Sequence, residues 1–119
     1  MMRRVSIAAL AIAAHIAPAH AFPRQFDGEW QVEARTTVGK CAPEASVHVR
    51  IADGRIVASD AQGVEVWGYL EDNGDISARF TAGQKMARGN GKLKGGSGSG
   101  AWSSNTDYCG GVWTARKVN

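Results

Sequence analysis

The chain has 119 residues, 44% of them hydrophobic, and a formal net charge of +3. That length fits one domain. Its 14 basic and 11 acidic residues are interspersed, which excludes a basic stripe for nucleic acid and a polybasic patch for a membrane surface.

The first 21 residues read as a secretory leader. Met1-Met-Arg-Arg4 is a positive start, Val5 through Ala17 is a short apolar run, and Pro18-Ala-His-Ala21 supplies small residues for cleavage after Ala21. That order is the layout of a signal peptide, and the run is too short for a membrane-spanning helix, which needs about 20 residues. Residues 22–119 are then the mature domain, with 12 basic against 11 acidic residues, a net charge of +1. The expected product is exported, periplasmic or secreted, with no membrane anchor once the leader is gone.

After Ala21 the apolar residues recur every second position, the period of strands. In residues 28–35 Trp30, Val32 and Ala34 share one face, and Glu29, Gln31, Glu33 and Arg35 the other. Residues 46–52 repeat the pattern with Val47, Val49 and Ile51. Asp53-Gly54 then links to residues 55–58 as a two-residue hairpin loop, with Ile51 expected opposite Ile56 and Val49 opposite Ala58.

The next hairpin spans residues 64–81 and admits two registers. A two-residue Asn73-Gly74 loop sets Trp67 across from Phe80 but brings Glu71 onto the apolar face. A three-residue Asp72-Asn73-Gly74 loop, with Gly74 left-handed in a bulge, pairs Leu70 with Ile76, Val66 with Phe80 and Gly68 with Ala78. The second is preferred, and it puts Trp67 and Tyr69 on the outer face beside Arg79 and Ser77.

Residues 89–104, GNGKLKGGSGSGAWSS, have the composition of a flexible linker. Yet Ala87, Gly89, Gly91 and Leu93 share one parity, as do Gly98, Gly100 and Trp102. A linker has no reason to alternate, and the stretch reads as two strands around Lys94-Gly-Gly-Ser97. No Gly-Lys-Ser/Thr and no helix follow the glycines, so a phosphate loop is excluded. The last strand, residues 111–116, carries Trp113 and Ala115 on one face. Gly28-x-Trp30, Gly100-x-Trp102 and Gly111-x-Trp113 thus repeat one unit.

The pattern implies an all-β domain: a small antiparallel up-and-down barrel, or a strongly curved meander, of seven or eight strands whose first and last members pair. Closure removes exposed edges, and the three tryptophans are expected to plug the interior. Cys41 and Cys109, an even pair in an exported chain, read as one disulfide, the alternative being two free thiols.

Gly28, Glu29 and Trp30, a Gly-x-Trp on the first strand of an exported antiparallel barrel, resemble the start of the calycins, the lipocalin and avidin group. Lipocalins are much longer, which argues against a large internal cup. In length, single disulfide and end-strand pairing the chain is similar to small periplasmic barrel inhibitors of proteases or lysozyme. Its second half, residues 68–113, also resembles small Gly-rich exported bacterial proteins.

Little supports catalysis, and no enzyme activity is expected. His48 is the single histidine after residue 21 and is expected on an outer strand face, without the buried serine and carboxylate of a triad. Two cysteines and scattered carboxylates make no metal site. Asp72-Asn-Gly-Asp75 lacks the later glutamate of a calcium loop and has the length of a turn. His48, Met86 and Tyr108 are the conceivable haem ligands, but no covalent haem motif exists and no cofactor is expected. Trp67, Tyr69 and Arg79 are the candidate partner-binding residues, since exposed aromatics with an arginine dominate binding hot spots. The competing readings make Trp67 core, or a ring lying under Arg79 as a local pair. The expected function is a non-enzymatic binding module, with inhibition of an unknown protein partner as one form of it; the alternative is a calycin-type carrier of haem or another apolar ligand.

Overall fold

A computed structural model of the chain describes residues 23–119; the expected leader and its expected cleavage site after Ala21 lie outside the described residues. Eight strands follow in order: β1 (Gly28–Val38), β2 (Glu44–Ala52), β3 (Arg55–Ser59), β4 (Glu65–Leu70), β5 (Asp75–Ala82), β6 (Lys85–Lys94), β7 (Ser97–Ser104) and β8 (Cys109–Lys117). Each pairs antiparallel with its neighbour in sequence, and β1 pairs with β8, so the sheet closes into a barrel. The closing ladder runs from Trp30 opposite Lys117 to Val38 opposite Gly110, with an irregularity between Thr36 and Val38. No helix is present among the described residues.

The linker-like stretch is the wall of the barrel. Its glycines face inward on β6 and β7, where Gly91 stands directly opposite Gly100. A Cβ on Gly100 would meet Gly91 Cα at 2.6 Å and Trp113 Cε2 at 2.7 Å. Two backbones and an indole thus occupy the space that side chains would need, which is how glycine earns a place in a strand despite its entropic cost.

The turns follow their residues. Asp53 (φ 53°) and Gly54 (φ 70°) both take positive φ, the requirement of a tight two-residue hairpin. The Asp27 carboxylate accepts the amides of both, at 2.9 and 3.1 Å. Ile51 faces Ile56 as expected, but Val49 faces Ser59 and not Ala58. Val57 is an extra residue in β3, and this bulge shifts the register beyond it. In the β4–β5 hairpin the three-residue register holds: Leu70–Ile76, Gly68–Ala78 and Val66–Phe80, with Gly74 at φ 92°. Asp72-Asn-Gly-Asp75 is a turn closed on itself, the Asn73 carboxamide accepting the Asp75 amide at 3.0 Å.

One end of the barrel is shut. Phe26, Trp30, Ile51, Ile56, Leu70, Ile76 and Leu93 are buried there as one cluster, because β1, β3 and β5 begin where β2, β4 and β6 end. The carbonyls of Gly54, Gly74 and Gly96 accept the amides of Leu70, Leu93 and Lys117 at 2.8–2.9 Å, which laces each turn to the following strand pair. Trp30 is 1% exposed and its indole N–H donates to the Phe26 carbonyl at 2.8 Å. A fully buried side chain of this kind contributes roughly 1.5–3 kcal/mol.

The other end is not filled. Ala34, Thr36, Val47, Phe80, Ala87, Trp102 and Trp113 point inward but are only partly buried, and Ala45 is exposed. The expectation of three plugging tryptophans is therefore corrected: Trp30 is the plug, while Trp102 and Trp113 line the wall. Each of those two rings is drawn sideways to a backbone carbonyl instead of projecting along the axis.

Candidate functional site

The inner faces of the strands enclose a cavity of about 300 Å³. Trp30, Ile51, Ile76 and Leu93 form its floor, and Ala34, Val47, Ala78, Phe80, Trp102 and Trp113 its sides. Near the rim lie Thr36, Cys41 and Ala42. Small residues at 34, 45, 78, 87 and 89 set the width. The same alternation that defines the strands therefore also leaves the space.

The polar side-chain groups along this wall are already bonded. Trp102 Nε1 donates to the Arg35 carbonyl at 3.3 Å. Trp113 Nε1 is shared between the carbonyls of Asn90 and Ala101, each at 3.2 Å. The Thr36 hydroxyl donates to the Ala42 carbonyl at 2.6 Å. Among the described residues no charged side chain lines the cavity. Such a surface can hold an apolar body by burial and penalises any ligand polar group left unpaired there.

Cys41 and Cys109 form the disulfide, with Cα atoms 6.0 Å apart. It ties the β1–β2 loop at the rim to the start of β8. No free cysteine remains, and the bond is consistent with an oxidising compartment.

Trp67, Tyr69 and Arg79 fall together on the outer face. Trp67 is 59% exposed and stands directly opposite Arg79, as Tyr69 does opposite Ser77. The two rings meet edge to face, 5.5 Å between centroids. Trp67 is therefore not core, and its ring contact is with Tyr69. Beside it the β3–β4 ladder ends after two pairs, Arg55–Tyr69 and Ile56–Gly68. Val57, Val64, Val66, Trp67 and Arg79 border the resulting groove, with Glu65 at the same groove. No residue pattern announces this gap, which follows from the Val57 bulge and the short β3.

None of His48, Met86 and Tyr108 lines the cavity. His48 is half-buried on the outer side of β2, opposite Gln31. Its backbone amide donates to Asp60 Oδ1 at 2.8 Å, while its ring Nε2 is buried without a hydrogen-bond partner among the described residues. Tyr108 is 84% exposed in the turn before Cys109. Among the described residues no three His, Cys, Asp or Glu side chains gather as a metal site. Compared with known proteins, the chain matches no family model and no curated protein.

Proposed function

We propose that the protein binds a small, uncharged, apolar molecule inside its barrel, in the manner of a calycin-type carrier, and acts without catalysis in an exported compartment. The observation that carries this reading is the cavity of about 300 Å³ whose three lining indoles, Trp30, Trp102 and Trp113, already donate their N–H groups to backbone. That volume stands at the lower end of the ~300–1,000 Å³ typical of ligand pockets. The ligand is therefore compact, an aliphatic chain or an apolar body of one to three rings. Haem is disfavoured, because among the described residues no histidine, methionine, tyrosine or free cysteine lines the interior.

Inhibition of a protein target asks for a filled interior behind a protruding surface. The open interior is why the carrier reading is preferred here.

The test is a fluorescence titration of delipidated protein with N-phenyl-1-naphthylamine, a neutral apolar probe. Saturable one-to-one enhancement is expected. Ala78→Leu and Ala87→Leu, which place bulk in the cavity, should weaken it by ~10-fold or more while the far-ultraviolet circular dichroism stays that of the parent, since lost space excludes the probe. Absence of saturable binding by the parent protein would overturn the reading.

A further inference from the structure

On the outer face, two rows of side chains cross the sheet. One runs Trp67 (β4), Arg79 (β5), Arg88 (β6), Ser103 (β7); the next runs Tyr69, Ser77, Asn90, Ala101. Arg79 and Arg88 are directly opposite on neighbouring strands and both are exposed. Like charges so placed destabilise a sheet. Elsewhere the same wall sets acid against base: Glu29 opposite Arg50 and Asp75 opposite Lys92, each an ion pair at 3.9 Å. Among the described residues neither Arg79 nor Arg88 has an ion-pair partner. Glu65, the acid closest in register, stands opposite Thr81.

Two arginines without ion-pair partners, directly opposite on neighbouring strands, can turn their guanidinium groups onto one planar anion, a carboxylate above all. Beside that fork lies an exposed indole with a tyrosine ring against it. Around it stand neutral hydrogen-bonding groups: Ser77, Asn90 and Ser103, with the Ser77 hydroxyl within 3.4 Å of Asn90 Oδ1.

The backbone of β5 and β6 is engaged in ladders on both sides here. A peptide therefore finds no free strand edge at the arginine pair, and recognition there falls to side chains alone. A pyranose bearing a carboxylate matches all three features. Its C–H face packs on an indole, its hydroxyls meet Ser and Asn, and its carboxylate meets the arginines.

We propose that the outer face of β4–β6 binds an acidic saccharide of the uronic-acid class, with Arg79 and Arg88 holding the carboxylate and Trp67 and Tyr69 supporting the ring. This site is separate from the interior cavity and does not depend on it.

The test is calorimetric titration of the full chain at physiological salt with oligogalacturonate, oligoglucuronate and alginate oligomers. Neutral malto-oligosaccharide and oligoglutamate of matched charge are the comparisons. Saturable binding of a uronate oligomer, with neither comparison binding as tightly, is the expected result. The double variant Arg79→Gln/Arg88→Gln and the single variant Trp67→Ala should each weaken it by ~10-fold or more, the scale of a lost charge-assisted contact. A cooperative thermal unfolding transition in both variants, at a midpoint no lower than the parent's for the double variant, shows that the fold is kept. Failure of every uronate to bind, equal binding of oligoglutamate or of the neutral oligomer, or undiminished binding by the variants would overturn the proposal.

Discussion

Gly100 on β7 lies directly opposite Trp113 on β8, and the indole of Trp113 crosses the glycine to reach the carbonyls of Asn90 and Ala101. The exchange is reciprocal. Trp102 lies opposite Gly111, and its indole reaches the Arg35 carbonyl on β1. In an antiparallel ladder each step forward on one strand is a step back on the other. A Gly-x-Trp on β7 therefore meets a Trp-x-Gly on β8. On β7 and β8 the repeated unit is thus a pairing: Gly100 makes the room that the Trp113 indole uses, while Gly111 lets the Arg35–Thr36 backbone of β1 come close.

Filling that room should destabilise the barrel. Gly100→Ala sets a Cβ 2.7 Å from Trp113 Cε2, and Gly91→Ala sets one against Ser99, Gly100 and Trp113. Each should cost ~1–3 kcal/mol, the usual penalty of overpacking. Gly96→Ala, whose added carbon meets nothing closer than Lys117 Cβ at 3.9 Å, should stay within ~0.5 kcal/mol of the parent, as surface changes do. Urea denaturation midpoints of the three variants measure this.

Much of this fold is legible in the sequence because one face of each strand is buried, and a period of two then fixes which residues face inward. The β4–β5 register could be chosen from Glu71 alone, since the rival loop would have buried its carboxylate. Two features could not be read. The Val57 bulge leaves no mark, because Ile56-Val57-Ala58 is apolar whichever way it faces. The cavity is also invisible to pattern. Parity places Trp102 and Trp113 inside, but whether an inward ring fills the axis or lies along the wall depends on which carbonyl its N–H finds. Trp67 and Arg79 were legible as neighbours; Arg88 joins them only through the β5–β6 register.

The Trp30 plug should dominate the stability of the closed end. Trp30→Ala should cost ~3–5 kcal/mol, as for other buried aromatics. Trp30→Phe keeps much of the apolar volume but leaves the Phe26 carbonyl without the donor now 2.8 Å away, at a cost of ~1–3 kcal/mol for an unsatisfied buried acceptor. Guanidinium unfolding of both variants separates packing from hydrogen bonding.

Asp27 anchors the segment before β1 to the β2–β3 turn through two amides. Asp27→Ala should lose ~1–3 kcal/mol, since both bonds go to a charged acceptor. Faster amide hydrogen exchange at Asp53 and Gly54, ahead of the rest of the barrel, is the accompanying signature.

The Cys41–Cys109 bond joins residues 68 apart in sequence. Its removal in the double variant Cys41→Ser/Cys109→Ser should cost ~4 kcal/mol on the chain-entropy account. A reductant should lower the parent's unfolding midpoint to that of the variant and leave the variant unchanged. Because Cys41 also borders the cavity, the same treatment should quicken release of a bound apolar probe in stopped-flow measurements.

Xenon offers the most direct view of the interior, since a dry apolar space takes it up without any guess about the natural ligand. Diffraction from crystals held under xenon pressure should reveal the gas bound among Val47, Ala78, Phe80, Trp102 and Trp113. A barrel with those same side chains in contact across its axis, and no xenon between them, would contradict the account.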